Sequence, residues 1–313
     1  MKDWQKRVIT EIAYLYYVKE FSRKDIAQKL GIDRTTVGRM LQRAKNEQIV
    51  TFKINDFDTE VFDLEKEIEE KFHLKKVLVS PNSINKTTQE KDSDLAKLTI
   101  QYLRKIIQVG DVVGLSWGRD LEMLADGVRN ISDMNAVFVP LAGAPSNDNI
   151  KFHVNSIVYD MARKFKSKSI FINAAAVQKN VFAAQKVRRS TEYQQLNSYW
   201  QQMKTAVVGI GGPLSENSSW RDLLTEEDLV NLSHEKAIGD CCCHFFNAKG
   251  EIVDQDLERR LIAYPVQYLK TIENSIGLAH SVTKVEAIIA LLKNKMLNTL
   301  ITDKETAKAI LSF

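Results

Sequence analysis

Arginine and threonine side chains recur along residues 34–43 at a spacing that could read base-pair edges in duplex DNA. Arginine pairs bidentately with guanine in the major groove, and threonine reaches base edges or phosphates. The residues expected to contact bases are Arg34, Thr35, Thr36 and Arg39, and those expected to contact phosphates are Arg43 and Lys45. Gly38 between them would let a helix approach the groove closely.

The element that would position these side chains is a helix-turn-helix over residues 23–42, RKDIAQKLGIDRTTVGRMLQ. Ser22 and Asp33 can cap its two helices by accepting hydrogen bonds from first-turn N–H groups. Gly31 lies at the turn, where a left-handed backbone favours glycine. The apolar residues expected between the helices are Ile26, Ala27, Leu30, Ile32, Val37, Met40, Leu41 and Ala44. A helical hairpin whose basic face is merely solvated is the alternative.

Basic charge is concentrated around this motif. Residues 1–50 contain eleven Lys and Arg against six Asp and Glu, a net charge of +5, whereas the whole chain carries +4. The remaining residues therefore sum to −1. Because Lys and Arg neutralise phosphates and release counterions, this distribution favours nucleic-acid binding at the N-terminus and not elsewhere.

The length and composition are those of an ordinary globular protein with more than one domain. The chain has 313 residues, of which 44% are apolar and 27% charged. The sequence contains no apolar run of about 18 residues and no signal peptide, so we expect a cytoplasmic protein. The cysteines, Cys241 to Cys243, are consecutive, which suits neither a zinc site nor a disulfide framework. We expect reduced thiols, at least one of them buried, and neither a metal nor a cofactor; a reactive thiol is the alternative.

Periodicity divides the chain into three parts. An amphipathic helix precedes the helix-turn-helix, and IVTFKI (49–54) alternates like a short strand of a wing. The stretch 59–72 carries one apolar stripe and predicts a connecting helix, which would dock on the second domain or on a partner copy. We therefore assign residues 1–55 to a DNA-binding domain, 56–74 to a connecting helix and linker, and 75–313 to an effector domain.

From residue 75 onward, short apolar runs alternate with amphipathic segments, which predicts an α/β domain with a mostly parallel sheet. The predicted strands are 77–80, 111–116, 135–141, 169–174, 205–211, 274–279 and 297–302. The predicted helices are 89–108, 119–130, 149–165, 190–203, 225–235 and 283–294. Ligands of such sheets bind at the carboxyl ends of the strands. The loops there are 116–120, 142–148, 209–213 and 279–284, and their small residues could present backbone N–H groups to a phosphate.

One of these loops also matches a hydrolase motif. Residues 114–118, GLSWG, satisfy the G-x-S-x-G pattern of a nucleophile elbow, and Asp254 and His280 follow in the chain order of a triad. No HGG-like segment for an oxyanion hole precedes Ser116. We therefore treat hydrolysis as the lesser interpretation of this loop.

Four separated segments resemble the sugar-binding domain of bacterial transcriptional regulators of the SorC family: DVVGLSWGRDLEMLADGV (111–128), GIGGP (209–213), GDCCCHFFNAKGEIV (239–253) and residues 282–311. The helix-turn-helix matches the SorC/DeoR-like form of the same family, so the resemblance covers essentially the whole chain. It implies an effector domain similar in fold to ribose-5-phosphate isomerase and glucosamine-6-phosphate deaminase. That domain would bind a phosphorylated sugar that alters operator affinity.

The resemblance also implies where the ligand binds. The family's ligand-holding positions fall on Ser116, Trp117, Gly118, Arg119, Gly143, Gly211, Gly212, Asp240 with Phe245 and Phe246 beside it, Lys284 and Asp303. Aspartate would accept from sugar hydroxyls, and Lys or Arg would bind phosphate. The chain departs from the family pattern at Arg119-Asp120, at Ala142 and Ala144, where no Lys is available for a Schiff base, and at His280-Ser281. These departures leave the ligand's identity open.

The sequence as a whole predicts a ligand-responsive regulator of carbohydrate genes that binds double-stranded DNA, with repression favoured over activation. A homodimer or homotetramer is expected, because palindromic half-sites require twofold symmetry. Two alternatives remain open. One is a sugar-phosphate isomerase or deaminase with an appended DNA-binding domain and Asp240 as general base, and the other is an architectural DNA binder with an inactive effector domain.

Overall fold

The computed structural model describes residues 2–52, 58–81, 87–127, 134–145, 153–214, 220 and 223–313. The chain forms two compact units, residues 1–57 and 58–313. Among the helices of these described segments, none has both the length and the apolar character needed to cross a bilayer.

The first unit is a bundle of three helices, α1 (Lys2–Tyr17), α2 (Arg23–Leu30) and α3 (Arg34–Asn46). Its core contains Ile12, Ile26, Val37 and Leu41, and most of the other apolar residues predicted between the helices pack partly buried against them. Gly31 has the left-handed conformation, φ +63°, at the turn. The helix-turn-helix is therefore present at the predicted residues.

The strand predicted at 49–54 is not formed over its described part, residues 49–52. The N–H groups of Ile49 and Val50 both donate to Ala44 O, at 2.9 and 3.1 Å, and so close the end of α3. Their side chains pack against Ile9 and Ala13 of α1. Alternating apolar residues here serve helix termination, and the expectation of a wing strand was wrong for these four residues. Residues 53 and 54 lie outside the described part of the chain.

The second unit is an α/β fold. Its helices are α4 (Thr59–Phe72), α5 (Thr88–Ile106), α6 (Arg119–Gly127), α7 (Val154–Lys164), α8 (Val181–Arg188), α9 (Thr191–Trp200), α10 (Glu226–His234), α11 (Gln255–Arg260), α12 (Val285–Lys293) and α13 (Lys304–Ser312). Its strands are β1 (Lys76–Ser80), β2 (Val112–Leu115), β3 (Val137–Pro140), β4 (Lys168–Ser169), β5 (Met203–Gly209), β6 (Gly239–Cys241), β7 (His244–Phe246), β8 (Asn274–Leu278) and β9 (Thr299–Asp303).

In the described part of the chain, seven strands form one parallel sheet in the order β1-β9-β8-β5-β2-β3-β4. Six of these strands lie where the sequence predicted them. The predicted strand 169–174 is formed only at its first residue, as part of the two-residue β4 at the edge of the sheet. The central strands β2 and β8 are buried along their whole length, as expected for a sheet covered by helices. This order brings the carboxyl ends of β2, β5 and β8 side by side.

Some elements differ from the prediction. The antiparallel hairpin β6–β7 and the helices α8, α11 and α13 were not predicted. The predicted helices 119–130 and 149–165 extend into residues 128–130 and 149–152, which lie outside the described part of the chain. The hairpin turn consists of Cys242 and Cys243, both at positive φ (50° and 71°), a conformation for which Asn-Gly is the usual sequence signal. All three cysteines are free and buried.

Helix α4, expected as a connector, packs into the second unit. It buries Leu64, Ile68 and Phe72 in the main core. Glu65 and Glu69 accept hydrogen bonds from Val79 N and Val77 N, at 2.9 and 3.0 Å. These carboxylates therefore satisfy N–H groups of the edge strand β1, which would otherwise be open to pairing.

Candidate functional site

A cavity of about 750 Å³ opens at the carboxyl ends of β2, β5 and β8. The loop after each of these strands contributes to its wall, together with the tip of the β6–β7 hairpin. The lining residues are Ser116, Trp117, Gly118, Arg119, Asp120, Gly209, Ile210, Gly211, Gly212, Pro213, Leu214, Trp220, Asp240, Cys242, Cys243, His280, Ser281, Thr283 and Lys284. This is the edge at which parallel α/β sheets bind ligands.

The loop after β2 is held in place by Ser116. Its side chain is buried, and Oγ accepts a hydrogen bond from Gly209 N at 2.9 Å. This bond joins the carboxyl ends of β2 and β5. Gly118, at φ +121°, then lets the chain enter α6, whose first turn begins at Arg119 beside the cavity. The N-terminus of a helix carries partial positive charge and unpaired N–H groups, so it favours an anion.

Glycines allow the β6–β7 hairpin to lie against the loop after β5. Gly211 N donates to Asp240 O at 2.9 Å, and a Cβ at residue 211 would lie 1.9 Å from Asp240 Oδ1. A Cβ at Gly239 would lie 2.3 Å from Gly211 O. A Cβ at Gly239 would therefore require the backbone to move, and a Cβ at Gly211 would displace the Asp240 carboxylate. The close approach places the Asp240 carboxylate in the cavity wall.

A cluster of ion pairs forms one side of the cavity. Lys284 Nζ lies 2.5 Å from Asp120 Oδ2, and His280 Nδ1 lies 3.2 Å from Asp120 Oδ1. His280 Nε2 lies 3.2 Å from Asp92 Oδ1. Burial alone would raise the pKa of Asp120, but His280 and Lys284 outweigh it and hold this pKa below its ordinary value. The contact with Asp120 in turn raises the pKa of His280.

Asp240 is the second carboxylate of the cavity, and its environment is different. Burial raises the pKa of Asp240 to about 6, even though the Trp220 hydrogen bond and the charges of Lys284 and His244 act to lower it. Trp220 Nε1 donates to Asp240 Oδ1 at 3.1 Å. The indole of Trp220 also packs against the rings of Trp117 and Phe245, with centroids 5.0 and 4.9 Å away. The cavity thus has one wall of ion pairs and one of aromatic rings.

Eight of the twelve residues implied by the family resemblance line this cavity: Ser116, Trp117, Gly118, Arg119, Gly211, Gly212, Asp240 and Lys284. Gly143 does not, because its N–H donates to Ile262 O at 2.7 Å and a Cβ there would meet Ala174 O at 2.6 Å. Phe245 lies buried behind the Trp220 ring, and Phe246 is also in the core. Asp303 caps α13 by accepting from Thr306 N at 2.7 Å.

Several cavity residues were not predicted as ligand residues. Asp120 and Ser281 were noted only as departures from the family pattern, and His280 as a departure and as a possible triad histidine. The charges of Asp120 and His280 beside a glycine-rich loop were a usable signal. No role was predicted for Leu214, Trp220 or Thr283, and Cys242 and Cys243 were considered only as buried or reactive thiols. Trp220 is twenty residues from Asp240 in the chain, so no local pattern could have paired them.

The hydrolase arrangement is not assembled. Ser116 Oγ accepts from Gly209 N, and the two ring nitrogens of His280 face Asp120 and Asp92. Asp254 caps α11 by accepting from Leu257 N at 3.0 Å. The G-x-S-x-G match therefore reflects a tight strand-to-helix turn. Among the described residues, no three His, Cys, Asp or Glu side chains converge in a way that could hold a metal ion.

The helix-turn-helix presents the predicted basic face. Arg34, Thr35, Arg39 and Arg43 are exposed on α3, and Thr36 is partly exposed. Both predicted caps are formed, with Ser22 Oγ accepting from Asp25 N at 3.2 Å and Asp33 Oδ1 accepting from Thr36 N at 2.8 Å.

Three side chains of this face have partners on α3 or at its caps. Arg39 Nη2 donates to Thr36 Oγ1 at 3.0 Å, and Thr36 Oγ1 donates to Asp33 Oδ2 at 2.6 Å. Arg43 pairs with Glu47 at 2.5 Å. Exposed pairs of this kind exchange readily with solvent, so these side chains remain available to another partner.

A DNA-binding helix-turn-helix joined to an α/β domain with a cavity at its strand ends defines a class of transcriptional regulators, and comparisons with known proteins agree. The Sugar-bind family of sugar-binding domains matches residues 58–312, and the family of sigma-70 region 4 matches residues 11–47. The sorbitol operon regulator of Klebsiella pneumoniae is 30% identical over 308 residues, which cover 97% of this chain and 98% of that protein. The deoxyribonucleoside regulator of Bacillus subtilis is 28% identical over 313 residues, which cover 99% of this chain and 99% of that protein.

Solved structures give the same result. The full-length sorbitol operon regulator SorC from Klebsiella pneumoniae matches with a TM-score of 0.77 and 30% identity over 97% of this chain and 98% of that one. A transcriptional regulator from Streptococcus pneumoniae matches with a TM-score of 0.76 and 36% identity over 82% of this chain and 98% of that one. The chain belongs to the SorC family. It is a transcriptional regulator with an N-terminal DNA-binding domain and a C-terminal sugar-binding domain.

Proposed function

We propose that this protein represses carbohydrate genes and that a phosphorylated sugar, bound in the cavity at the strand ends, controls its affinity for the operator. The observation that carries the proposal is the composition of that cavity. It combines a helix N-terminus at Arg119 and an amino group on Lys284, both suited to phosphate, with a carboxylate on Asp240 suited to sugar hydroxyls.

The distribution of polar groups supports a ligand with two chemically different ends. Lys284 and the start of α6 belong to the same wall, whereas Asp240 accepts from Trp220 on the aromatic wall. A phosphate would approach the first wall, and the sugar hydroxyls would approach the second. The names of the relatives, a sorbitol operon regulator and a deoxyribonucleoside regulator, support ligands of this size and polarity.

The DNA end of the proposal assigns Arg34, Thr35, Thr36 and Arg39 to base contacts and Arg43 to phosphate. A single recognition helix reads few base pairs, so we propose that the protein acts as a homodimer or homotetramer on a palindromic operator. The ligand changes the occupancy of the operator if it binds the DNA-bound and the DNA-free states of the protein with different affinities.

The test measures two bindings in one preparation. Thermal denaturation is measured with D-sorbitol 6-phosphate, with 2-deoxy-D-ribose 5-phosphate and with the two unphosphorylated compounds. We expect a rise in Tm with at least one of the two phosphate esters and with neither unphosphorylated compound. Saturation at a hundredfold excess over Kd stabilises by about 2.7 kcal/mol. The same ester should then weaken binding to duplexes selected from a random pool by at least about tenfold. Equal affinity for selected and random duplexes, with and without each ester, would refute the proposal.

A matched pair of variants ties the effect to the cavity. Lys284→Gln should abolish the rise in Tm with the phosphate ester, because it removes the half-buried cation of the phosphate wall. Lys293→Gln removes an exposed lysine at the other end of α12 and should leave the rise unchanged. Loss of the response in both variants would indicate a general charge effect.

A catalytic role is the second candidate, and one observation favours it. The pKa of Asp240 is raised to about 6, which suits a general base near neutral pH. The relatives are named as regulators, which favours binding without turnover. Isomerisation or deamination of a sugar phosphate by the purified protein, lost in Asp240→Asn and accompanied by no change in DNA affinity, would favour the enzyme.

A further inference from the structure

The indole of Trp220 is the partner of one oxygen of the Asp240 carboxylate. Nε1 donates to Oδ1 at 3.1 Å, although the two residues are twenty apart in the chain. Trp220 is 5% exposed, and its ring contacts the rings of both Trp117 and Phe245. An N–H group on a ring held by two other aromatic side chains has little freedom to move away from its acceptor.

The same oxygen is enclosed from a second direction by Gly211. A Cβ at this residue would lie 1.9 Å from Oδ1, so the oxygen occupies the space that the missing side chain leaves. Gly211 N also donates to the backbone oxygen of Asp240 at 2.9 Å, which fixes the base of the side chain. Oδ1 is therefore enclosed by protein, and within the described residues Trp220 supplies the side-chain hydrogen bond that the carboxylate accepts.

We propose that Trp220 is a positioning residue for Asp240: by occupying Oδ1, it fixes the plane of the carboxylate and leaves Oδ2 to accept a hydrogen bond from one ligand hydroxyl. The inference rests on the proposed function, because it assigns a polyhydroxylated ligand to this cavity. A carboxylate held in one orientation accepts a good hydrogen bond only from a hydroxyl group that points toward Oδ2. Trp220 therefore contributes to the choice between sugar epimers. An epimer that cannot donate leaves the buried oxygen without a partner.

The charged form of Asp240 provides a readout that needs no ligand. Lys284, from the start of α12, and His244, on the neighbouring strand β7, both lower the pKa of Asp240, as does the Trp220 hydrogen bond. The Cys243 thiol of the hairpin turn stays protonated, because burial raises its pKa well above the ordinary value. Since the indole donates to the ionised carboxylate, ionisation of Asp240 must change the environment of the Trp220 Nε1–H group.

The first experiment follows the indole ¹H–¹⁵N resonances of the four tryptophans in the full chain, assigned by Trp→Phe substitution. We expect the Trp220 signal to titrate with a midpoint near 6 in the wild-type protein and to lose that titration in Asp240→Asn. The Trp200 signal is the internal control, since that indole donates to the backbone oxygen of Pro140 at 2.9 Å. A Trp220 signal that is flat from about pH 5 to about pH 8, or unchanged in Asp240→Asn, would overturn the inference.

The second experiment compares Trp220→Phe with Trp200→Phe, which removes an equally buried indole outside the cavity. The probes are inorganic phosphate, D-sorbitol 6-phosphate and 2-deoxy-D-ribose 5-phosphate. Trp220→Phe should weaken binding of whichever ester binds by about tenfold and leave the affinity for inorganic phosphate unchanged. In the Asp240→Asn background, Trp220→Phe should lower the affinity for the ester by less than about a further twofold, because the two residues act as one unit.

Each outcome of this comparison has a meaning. Equal losses for inorganic phosphate and the ester, or the same loss in Trp200→Phe, would indicate general damage to the cavity and would overturn the positioning role. If neither ester binds the wild-type protein, the proposed function fails for these ligands. The titration of the Trp220 signal then still decides whether the indole holds the Asp240 carboxylate.

Discussion

Lys284 and Asp120 form an ion pair of 2.5 Å between residues 164 apart in the chain. The Asp120 side chain is 6% exposed and that of Lys284 is 21% exposed. His280 contacts the same carboxylate, so Asp120 is shared by two cations. An anionic ligand that enters the cavity must therefore compete with Asp120 for Lys284, and the stability of this wall of the cavity depends on the Asp120 carboxylate.

Removing the Asp120 charge should destabilise the protein and improve anion binding. Asp120→Asn leaves Lys284 and His280 without their buried counter-charge, so we expect a loss of about 3 kcal/mol in the free energy of unfolding. Inorganic phosphate should restore part of that loss by pairing with the uncovered cations. Urea denaturation with and without phosphate measures both effects.

Asp92→Asn is the control for this substitution. Asp92 also contacts His280 but is 30% exposed, so its loss should cost less than about 1 kcal/mol. Inorganic phosphate should then stabilise the Asp92→Asn variant no more than it stabilises the wild-type protein. A phosphate response of equal size in both variants would contradict the role given to Asp120.

The contribution of His280 to stability should decrease as the pH rises. Its contact with Asp120 raises the pKa of His280 in the folded state above the unfolded value of about 6.5. A raised pKa means that protonation favours folding, so the stabilisation is complete below about pH 6.5 and is lost as the pH rises through the folded-state pKa. The difference in unfolding free energy between the wild type and His280→Gln should therefore be larger at about pH 6 than at about pH 9. A difference that grows with pH would contradict the assignment.

Gly211→Ala and Gly212→Ala should differ in cost although the residues are adjacent. A Cβ at residue 211 would lie 1.9 Å from Asp240 Oδ1, so the carboxylate must turn away from its hydrogen bond with Trp220 to make room. We expect a loss of about 1–3 kcal/mol in the free energy of unfolding. A Cβ at residue 212 would lie 3.3 Å from Cγ of Lys284, a flexible side chain, so the cost should stay below about 1 kcal/mol. Equal Cm values for the two variants in urea would show that the hairpin is not packed as described.

Arg39 and Arg43 should have different effects on DNA binding. Arg39→Ala should cost about 1–3 kcal/mol on the selected duplex and little on a random duplex, because a base contact carries sequence information. Arg43→Ala should weaken both duplexes alike and reduce the slope of log K against log salt by about one, because a phosphate contact releases a counterion.

Glu47→Gln provides a control on the same surface. It frees Arg43 from its pair with Glu47 and removes a negative charge, so it should strengthen binding to both duplexes. The measurement for all three variants is fluorescence anisotropy over a series of salt concentrations. If Arg39→Ala weakens both duplexes equally, Arg39 belongs to the phosphate contacts.

Much of the fold was predictable because the signals are local. The helix-turn-helix follows from two caps, a glycine turn and an apolar period, all contained in about 25 consecutive residues. The seven strands follow from short apolar runs, and the glycine-rich loops after β2, β5 and β8 indicated the ligand edge. A locally ambiguous segment was predicted wrongly. Residues 49–52 alternate in polarity like a strand, but the backbone N–H groups of Ile49 and Val50 close the end of α3.

The sequence by itself determined which elements form and which loops could bind an anion, because capping, turn geometry and hydrophobic period depend on neighbours in the chain. Only the tertiary structure decided that Asp120 meets Lys284, that Trp220 meets Asp240, and that Gly143, Phe245 and Asp303 serve packing or capping outside the cavity. The reason is the strand order: β2, β5 and β8 are adjacent in the sheet but far apart in the chain. Which side chains share a cavity therefore depends on how the sheet is assembled.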